Sequence, residues 1–123
     1  MEELIDCDRF FDRGCEGGNP MFAFGYIVIN GLSSSNEYPY IMADNNGSPI
    51  RNKCERHTQH LPSRATIDSF DILPQNDEVA IINELKKRPV SVGVCGMDRS
   101  FLYYSSGIYT NPTCCTIQNH ALL

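Results

Sequence analysis

Tryptophan is absent from all 123 residues, and no apolar run reaches the roughly 18–20 residues that a membrane span requires. No CxxC pair occurs among the six cysteines, at positions 7, 15, 54, 95, 114 and 115, which argues against a structural zinc ribbon. Positive charge is scarce: ten Lys and Arg against fifteen Asp and Glu give a net charge of −5 and no basic stripe, which argues against nucleic acid as a partner. Internal repeats and low-complexity tracts are missing too. The charged opening MEELIDCDRF does not read as a signal peptide. What is left is at most one domain, 41% apolar and so able to form a globular core.

The cysteine density suits an exported, disulfide-bearing protein. An exported chain needs a leader, so the expectation is either a mature product or an incomplete reading frame. Asn19-Pro20 predicts a helix start, a cap followed by proline at the first helical position, and MFAFGYIVIN continues to Gly31 at the left-handed C′ position. That run is apolar nearly all round, which predicts burial on most sides. A second helix is predicted with Asn76 as cap, Asp77 and Glu78 in the first turn, and Lys86, Lys87 and Arg88 in the last before Pro89. Its apolar stripe is Val79, Ile82 and Leu85. A short helix is predicted through Glu2–Asp8.

Strands are expected in TIDSFDIL (66–73), PVSVGV (89–94), SGIYT and HALL. Helix and loop followed by helix and sheet indicates an α+β protein or parts of two domains. The loop from Ser33 to Arg64 is too long to be idle in a compact domain, and a disulfide through Cys54 would anchor it. Asn46-Gly-Ser is a glycosylation triplet, disfavoured by Pro49 just after it.

The Cys and His residues admit three readings. Cys54, His57 and His60, with Cys114, Cys115 and His120 later, could bind metal, although their spacing fits no helical pair and His57 and His60 also suit a solvated loop. A Cys–His pair could perform nucleophilic catalysis, the imidazole lowering the thiol pKa, with His120 at a loop-to-strand junction. A disulfide-stapled binding module without chemistry is the third.

Several segments in register resemble the papain family of cysteine peptidases. "EELIDCD" (2–8) resembles the stretch after the family's Ser-Glu-Gln, and "GCEGGNP" (14–20) is similar to its Gly-Cys-x-Gly-Gly motif with a following proline. "NGL" and "EYPY" (30–40), then Cys54, follow the family's loop to its next half-cystine. "PVSVGV" (89–94) and "FLYYSSGIY" (101–109) resemble its barrel strands, and "NHALL" (119–123) its catalytic-histidine strand.

The resemblance implies a two-lobed α+β fold, here incomplete. Residues 1–65 would belong to the helical lobe and 66–123 to the β-barrel lobe, with a peptide bound in the cleft between lobes. It implies His120 as the catalytic base of a cysteine endopeptidase. In that family the histidine follows the nucleophile by about 130–150 residues, which puts the nucleophile roughly 10–30 residues ahead of Met1. None of the six cysteines lies in a Cys-Gly-Ser-Cys-Trp context. The orienting asparagine is expected beyond Leu123, so the chain reads as an internal piece, inactive alone. The rival reading is a truncated pseudo-peptidase that only binds.

By resemblance Gly17 and Gly18 receive the peptide backbone, and Asn19, Pro20, Gly93 and Ala121 form the pocket for the second residue before the scissile bond. Small Gly93 and Ala121 imply room for bulky apolar side chains. Cys7 would pair with Cys54, a bridge worth about 4 kcal/mol in the chain-entropy model. Cys15 would pair upstream and Cys114 downstream, with Cys115 as alternative, while Cys95 would stay a buried free thiol. No cofactor or metal is implied. The implied partners are peptide or protein substrates and the family's proteinaceous inhibitors, acting on a monomer, in a lysosome, vacuole or the extracellular space.

Overall fold

The computed structural model describes residues 1–10, 12–41, 48 and 50–123; Asn46 and Gly47 of the glycosylation triplet lie outside the described residues. Four helices are described, α1 (Glu2–Cys7), α2 (Pro20–Asn30), α3 (Glu78–Leu85) and α4 (Arg99–Leu102), with a 3-10 turn at Gly14–Glu16. Two strands, β1 (Val92–Val94) and β2 (His120–Leu122), form an antiparallel pair. The chain divides into two compact units, Met1–Asp71 and Ile72–Leu123.

In the first unit the interior is built on charge. Glu2, Glu3 and Asp6 of α1 are each only 1% exposed, which carboxylates tolerate only when paired and hydrogen-bonded. Glu3 pairs with the buried Arg56 and accepts from the Ser33 amide at 2.7 Å and the Tyr26 hydroxyl at 3.2 Å. Asp6 accepts from the Asn52 amide at 2.7 Å and the Tyr38 hydroxyl at 3.0 Å. Glu2 accepts from the Ile41 amide at 3.2 Å. Arg56 also donates to the Asn30 carbonyl and to Ser63, so one guanidinium ties α1, the end of α2 and the long loop together. Burial pushes the Tyr38 phenol up to about 12, and burial with the Glu3 carboxylate raises Tyr26, so both remain donors.

The long loop is therefore anchored rather than idle. Cys7 is bonded to Cys54, with Cα atoms 4.7 Å apart. Leu32 and Ala65 form an isolated antiparallel bridge that closes the base of the loop, with the Leu32 amide donating to the Ala65 carbonyl at 2.8 Å. Gly31 is required here: its φ is +67°, and a Cβ would meet the Ser63 side chain at 2.8 Å.

The ends of α2 follow the sequence, with the Asn19 side chain accepting from the Met21 amide at 3.0 Å and Pro20 at the first position. Its burial does not. No residue of α2 is fully buried and Ile29 is 82% exposed, because the described residues of this unit cover only part of the helix surface. In α3 the cap is Asp77, which accepts from the Ala80 amide at 2.9 Å, whereas Asn76 turns left-handed at φ +59°. Asn76 adopts that conformation readily and so serves the turn instead of the cap. The helix ends at Leu85, and Lys87 and Arg88 fold back onto Glu84 at 3.0 and 2.9 Å.

Expected strands are corrected as well. Residues 66–73 form none; their alternation is broken by Asp68 and Asp71, and Phe70 instead stacks against Phe24 at 5.9 Å. SGIYT is not a strand either. Asp98 caps α4, which occupies Arg99–Leu102, and Phe101 meets Tyr109 edge-on at 5.4 Å. Within PVSVGV only Val92–Val94 pairs.

Candidate active site

The glycine segment of the first unit is an exposed, well-braced edge. The 3-10 turn ends on Gly17, whose φ of +101° suits glycine alone, and a Cβ there would enter open space. The Arg13 amide donates to the Gly17 carbonyl at 2.9 Å and fixes the turn. Gly18 is needed for contact: a Cβ would fall 2.4–2.9 Å from the Asp12 side chain. Asp12 accepts from the Asn19 amide at 2.7 Å, so it holds the segment just ahead of α2. Below it lies Asp8, 4% exposed, whose carboxyl is raised first by burial and then by the neighbouring Asp12 carboxylate. Sequence reasoning missed Asp12, since nothing in a seven-residue offset signals such a brace.

In the second unit the register of the ladder sets the histidine. Val92 faces Leu122, Gly93 faces Ala121 and Val94 faces His120. The Asn119 amide donates to the Val94 carbonyl at 3.0 Å, and its side-chain oxygen accepts from the Gly96 amide at 2.9 Å. A Cβ on Gly96 would lie 2.6 Å from Cβ of His120 and 2.9 Å from Cγ, so the ring sits directly over the Gly96 backbone. His120 is solvent-exposed. Gly93 and Ala121 are exposed and lie opposite one another, next to Gln118, which comes within 2.8 Å of where a Gly93 Cβ would be. Gly96, Asn119 and Gln118 carried no functional signal in the sequence.

The sulfur pairing departs from expectation. Cys95 is not a free thiol but is bonded to Cys115, because the close of β1 brings it to the loop that leads into β2. Cys15 and Cys114 are the free cysteines. The Tyr109 hydroxyl points to the Cys114 sulfur at 3.9 Å. The metal reading of Cys54, His57 and His60 loses its sulfur to the Cys7 bridge, and both histidines are exposed in a turn. Asp98, Cys114 and Cys115 bring donor atoms within 4.8 Å of one another, but the Cys115 sulfur is already bonded to Cys95 and has no thiolate to offer.

Four cysteines are locked as disulfides, and neither free cysteine lies in the ladder that carries His120.

Comparison with known proteins adds the wider context. The family model described as "Papain family cysteine protease" matches residues 1–123. A probable cysteine protease of Arabidopsis thaliana, RD21C, is 36% identical over 99% of this chain and 25% of its own length. The solved Carica candamarcensis cysteine protease CMS1MS2, in complex with E-64, superposes with a TM-score of 0.83 at 33% identity, over 98% of this chain and 52% of its own. The bromelain protease of Ananas comosus, in complex with the E64 inhibitor, gives 0.80 at 32% identity, over 98% and 50%. The chain thus spans about a quarter of that curated relative and about half of each solved protein.

Proposed function

From the premise that this chain belongs to the papain family of cysteine proteases and has part of the papain-like fold, we propose that it is the histidine-bearing portion of a cysteine endopeptidase. His120 would hold the nucleophilic thiolate as an ion pair, give its proton to the leaving amine, and then activate the water that cleaves the acyl-enzyme. The observation that carries this is the β1–β2 ladder, which fixes His120 against Val94 and leaves its ring exposed over Gly96.

The thiolate and the asparagine that orients the ring belong to residues outside these 123, so the chain by itself is inactive. Residues 1–65 are read as part of the helical lobe and 66–123 as part of the β-barrel lobe. Gly17 and Gly18 offer an exposed backbone edge to an extended peptide. Asn19, Pro20, Gly93 and Ala121 are assigned to the pocket for the second residue before the scissile bond. The small size of Gly93 and Ala121 favours bulky apolar side chains there. Peptide or protein substrates are its partners, with family inhibitors competing for the same surface, as the E-64 complexes of two relatives support. Two disulfides favour an oxidising site, vacuolar, lysosomal or extracellular.

Two measurements test the reading. The 123-residue chain alone should not hydrolyse a fluorogenic peptide amide; turnover that a thiol alkylator abolishes would show that one of its own cysteines is the nucleophile. In a protein completed by the segments carrying the nucleophile and the asparagine, His120→Ala should lower kcat by about 10²–10⁴-fold. Retained turnover in that variant, or best cleavage after small or acidic second residues, would overturn the histidine assignment or the pocket assignment respectively.

A further inference from the structure

Asp8 caps the C-terminal end of α1, where its amide donates to the Leu4 carbonyl at 3.1 Å. Its side chain is buried, and among the described residues no donor reaches its enclosed Oδ2 atom. A carboxylate oxygen sealed from water without a donor is strongly disfavoured. Residues beyond these 123 would only add cover, and they bring no donor to an atom already closed to solvent. The charged groups facing the Asp8 carboxyl are Asp12, within hydrogen-bonding reach of it, and Arg51. Arg51 donates to the Asp8 backbone carbonyl, and Arg9 is directed to the Asp6 and Asn52 carbonyls. Two ionised carboxylates offer only acceptors, so Asp8 and Asp12 can bond each other only through a proton. Burial, and then the Asp12 carboxylate, raises the Asp8 carboxyl above its ordinary 3.8, while the Phe10 amide and Arg51 pull the other way.

Asp12 in turn braces the glycine edge. Its Oδ1 accepts from the Asn19 amide at 2.7 Å, and its side chain fills the space that a Gly18 Cβ would need. Asn19 then caps α2 through the Met21 amide at 3.0 Å. Contacts thus run from the end of α1, through Asp8 and Asp12, to Gly18 and the start of α2.

We propose that Asp8 and Asp12 share one proton, and that this carboxyl–carboxylate pair positions the Gly17-Gly18 edge for the peptide. The shared proton makes a charge-assisted O–H···O bond that tethers Asp12 to the end of α1. The raised Asp8 value fixes the sign: its stabilising contribution is complete below 3.8 and is lost as pH rises through the folded value. Beyond that point the two carboxylates repel, and the brace on Gly18 and Asn19 loosens. Both aspartates are positioning residues. Their effect on peptide binding rests on the peptidase reading above, whereas the shared proton does not.

Carbon-13 NMR of the aspartate carboxyls in this chain, read together with the amide shifts of Gly17, Gly18 and Asn19, tests the pair. The Asp8 carboxyl should titrate above 3.8, and the three amides should follow with the same midpoint. In Asp12→Asn the side-chain amide can donate to Asp8, so the Asp8 midpoint should fall below the parent's and the three amides should stop titrating. Asp8→Asn supplies the donor from the other side and should silence the amides too, which keeps the test intact if one variant fails to fold. An Asp8 midpoint at or below 3.8, an unchanged midpoint in Asp12→Asn, or amides that ignore the Asp8 titration overturns the proposal. So does a midpoint that millimolar calcium lowers, since a cation then takes the place of the proton. In a protein completed by the segments carrying the nucleophile and the asparagine, KM for a peptide amide should rise about three- to tenfold through the same pH interval, and by less than about twofold in Asp12→Asn. Absence of turnover there would count against the peptidase reading, whereas a constant KM beside a titrating pair would overturn the positioning role.

Discussion

In the Met1–Asp71 unit the most deeply buried side chains are Glu2, Glu3 and Asp6, while in the Ile72–Leu123 unit Cys95 is the one buried residue among those described. The apolar stripe of α3, Val79, Ile82 and Leu85, is 52–67% exposed. The contrast shows two ways of organising a small unit. The first unit satisfies the buried carboxylates of α1 internally, through Arg56, two tyrosines and backbone amides, and adds a disulfide, so its order comes from directional bonds. The second has one short ladder and one disulfide, and its apolar surface still lacks cover. Directional networks cost heavily when one member is removed, whereas exposed apolar side chains cost little.

Breaking the first unit's network should therefore have the larger effect. Arg56→Ala leaves Glu3 buried and unpaired, and urea unfolding should show a loss of about 3–5 kcal/mol. A loss below about 1 kcal/mol would mean that water reaches Glu3 and the contrast fails. Replacing Cys7 and Cys54 together by serine should cost about 2–4 kcal/mol, because the bridge restrains the unfolded chain across its long loop. Equal unfolding midpoints with and without reductant would show that the hydrogen bonds of α1 hold that loop unaided.

A smaller effect belongs to the surface of the first unit. The Arg64 guanidinium and the Ser34 donors hold the Glu37 carboxyl at about 2, below its usual 4.5. A depressed folded value contributes stability above the unfolded value, and that stability is lost as pH falls from about 4.5 through 2. The melting temperature of Glu37→Gln should accordingly lie below that of the parent at neutral pH and converge with it near pH 2. A gap that is constant with pH would assign the difference to something other than ionisation. The smallest change is expected in the second unit, where Ile82→Ala should alter the stability of this chain by no more than about 0.5 kcal/mol. A larger loss would show that the stripe is packed after all and would erase the contrast.

Much of the helical architecture was legible because it is local. Asn19-Pro20 and Gly31 mark the ends of α2 through backbone geometry that any host would impose. The error at α3 was equally local: Asn76 and Asp77 are both good caps, and only the observed left-handed turn at Asn76 decides between them. The strands were less legible. Alternation in residues 66–73 states a preference that needs a partner strand to be realised, and none pairs with it among the described residues.

The sequence by itself determined the family and the types of residue available: a histidine at a loop-to-strand junction, a glycine pair ahead of a capped helix, and six cysteines. Such features follow from short-range patterns, and the register of several motifs makes them specific. Only the tertiary structure decided that Glu3 is neutralised by Arg56, 53 residues away, that Cys95 bonds Cys115, and that His120 lies over Gly96. These facts depend on distances in space between groups far apart along the chain. Chain folding brings them together, and no local propensity encodes the meeting.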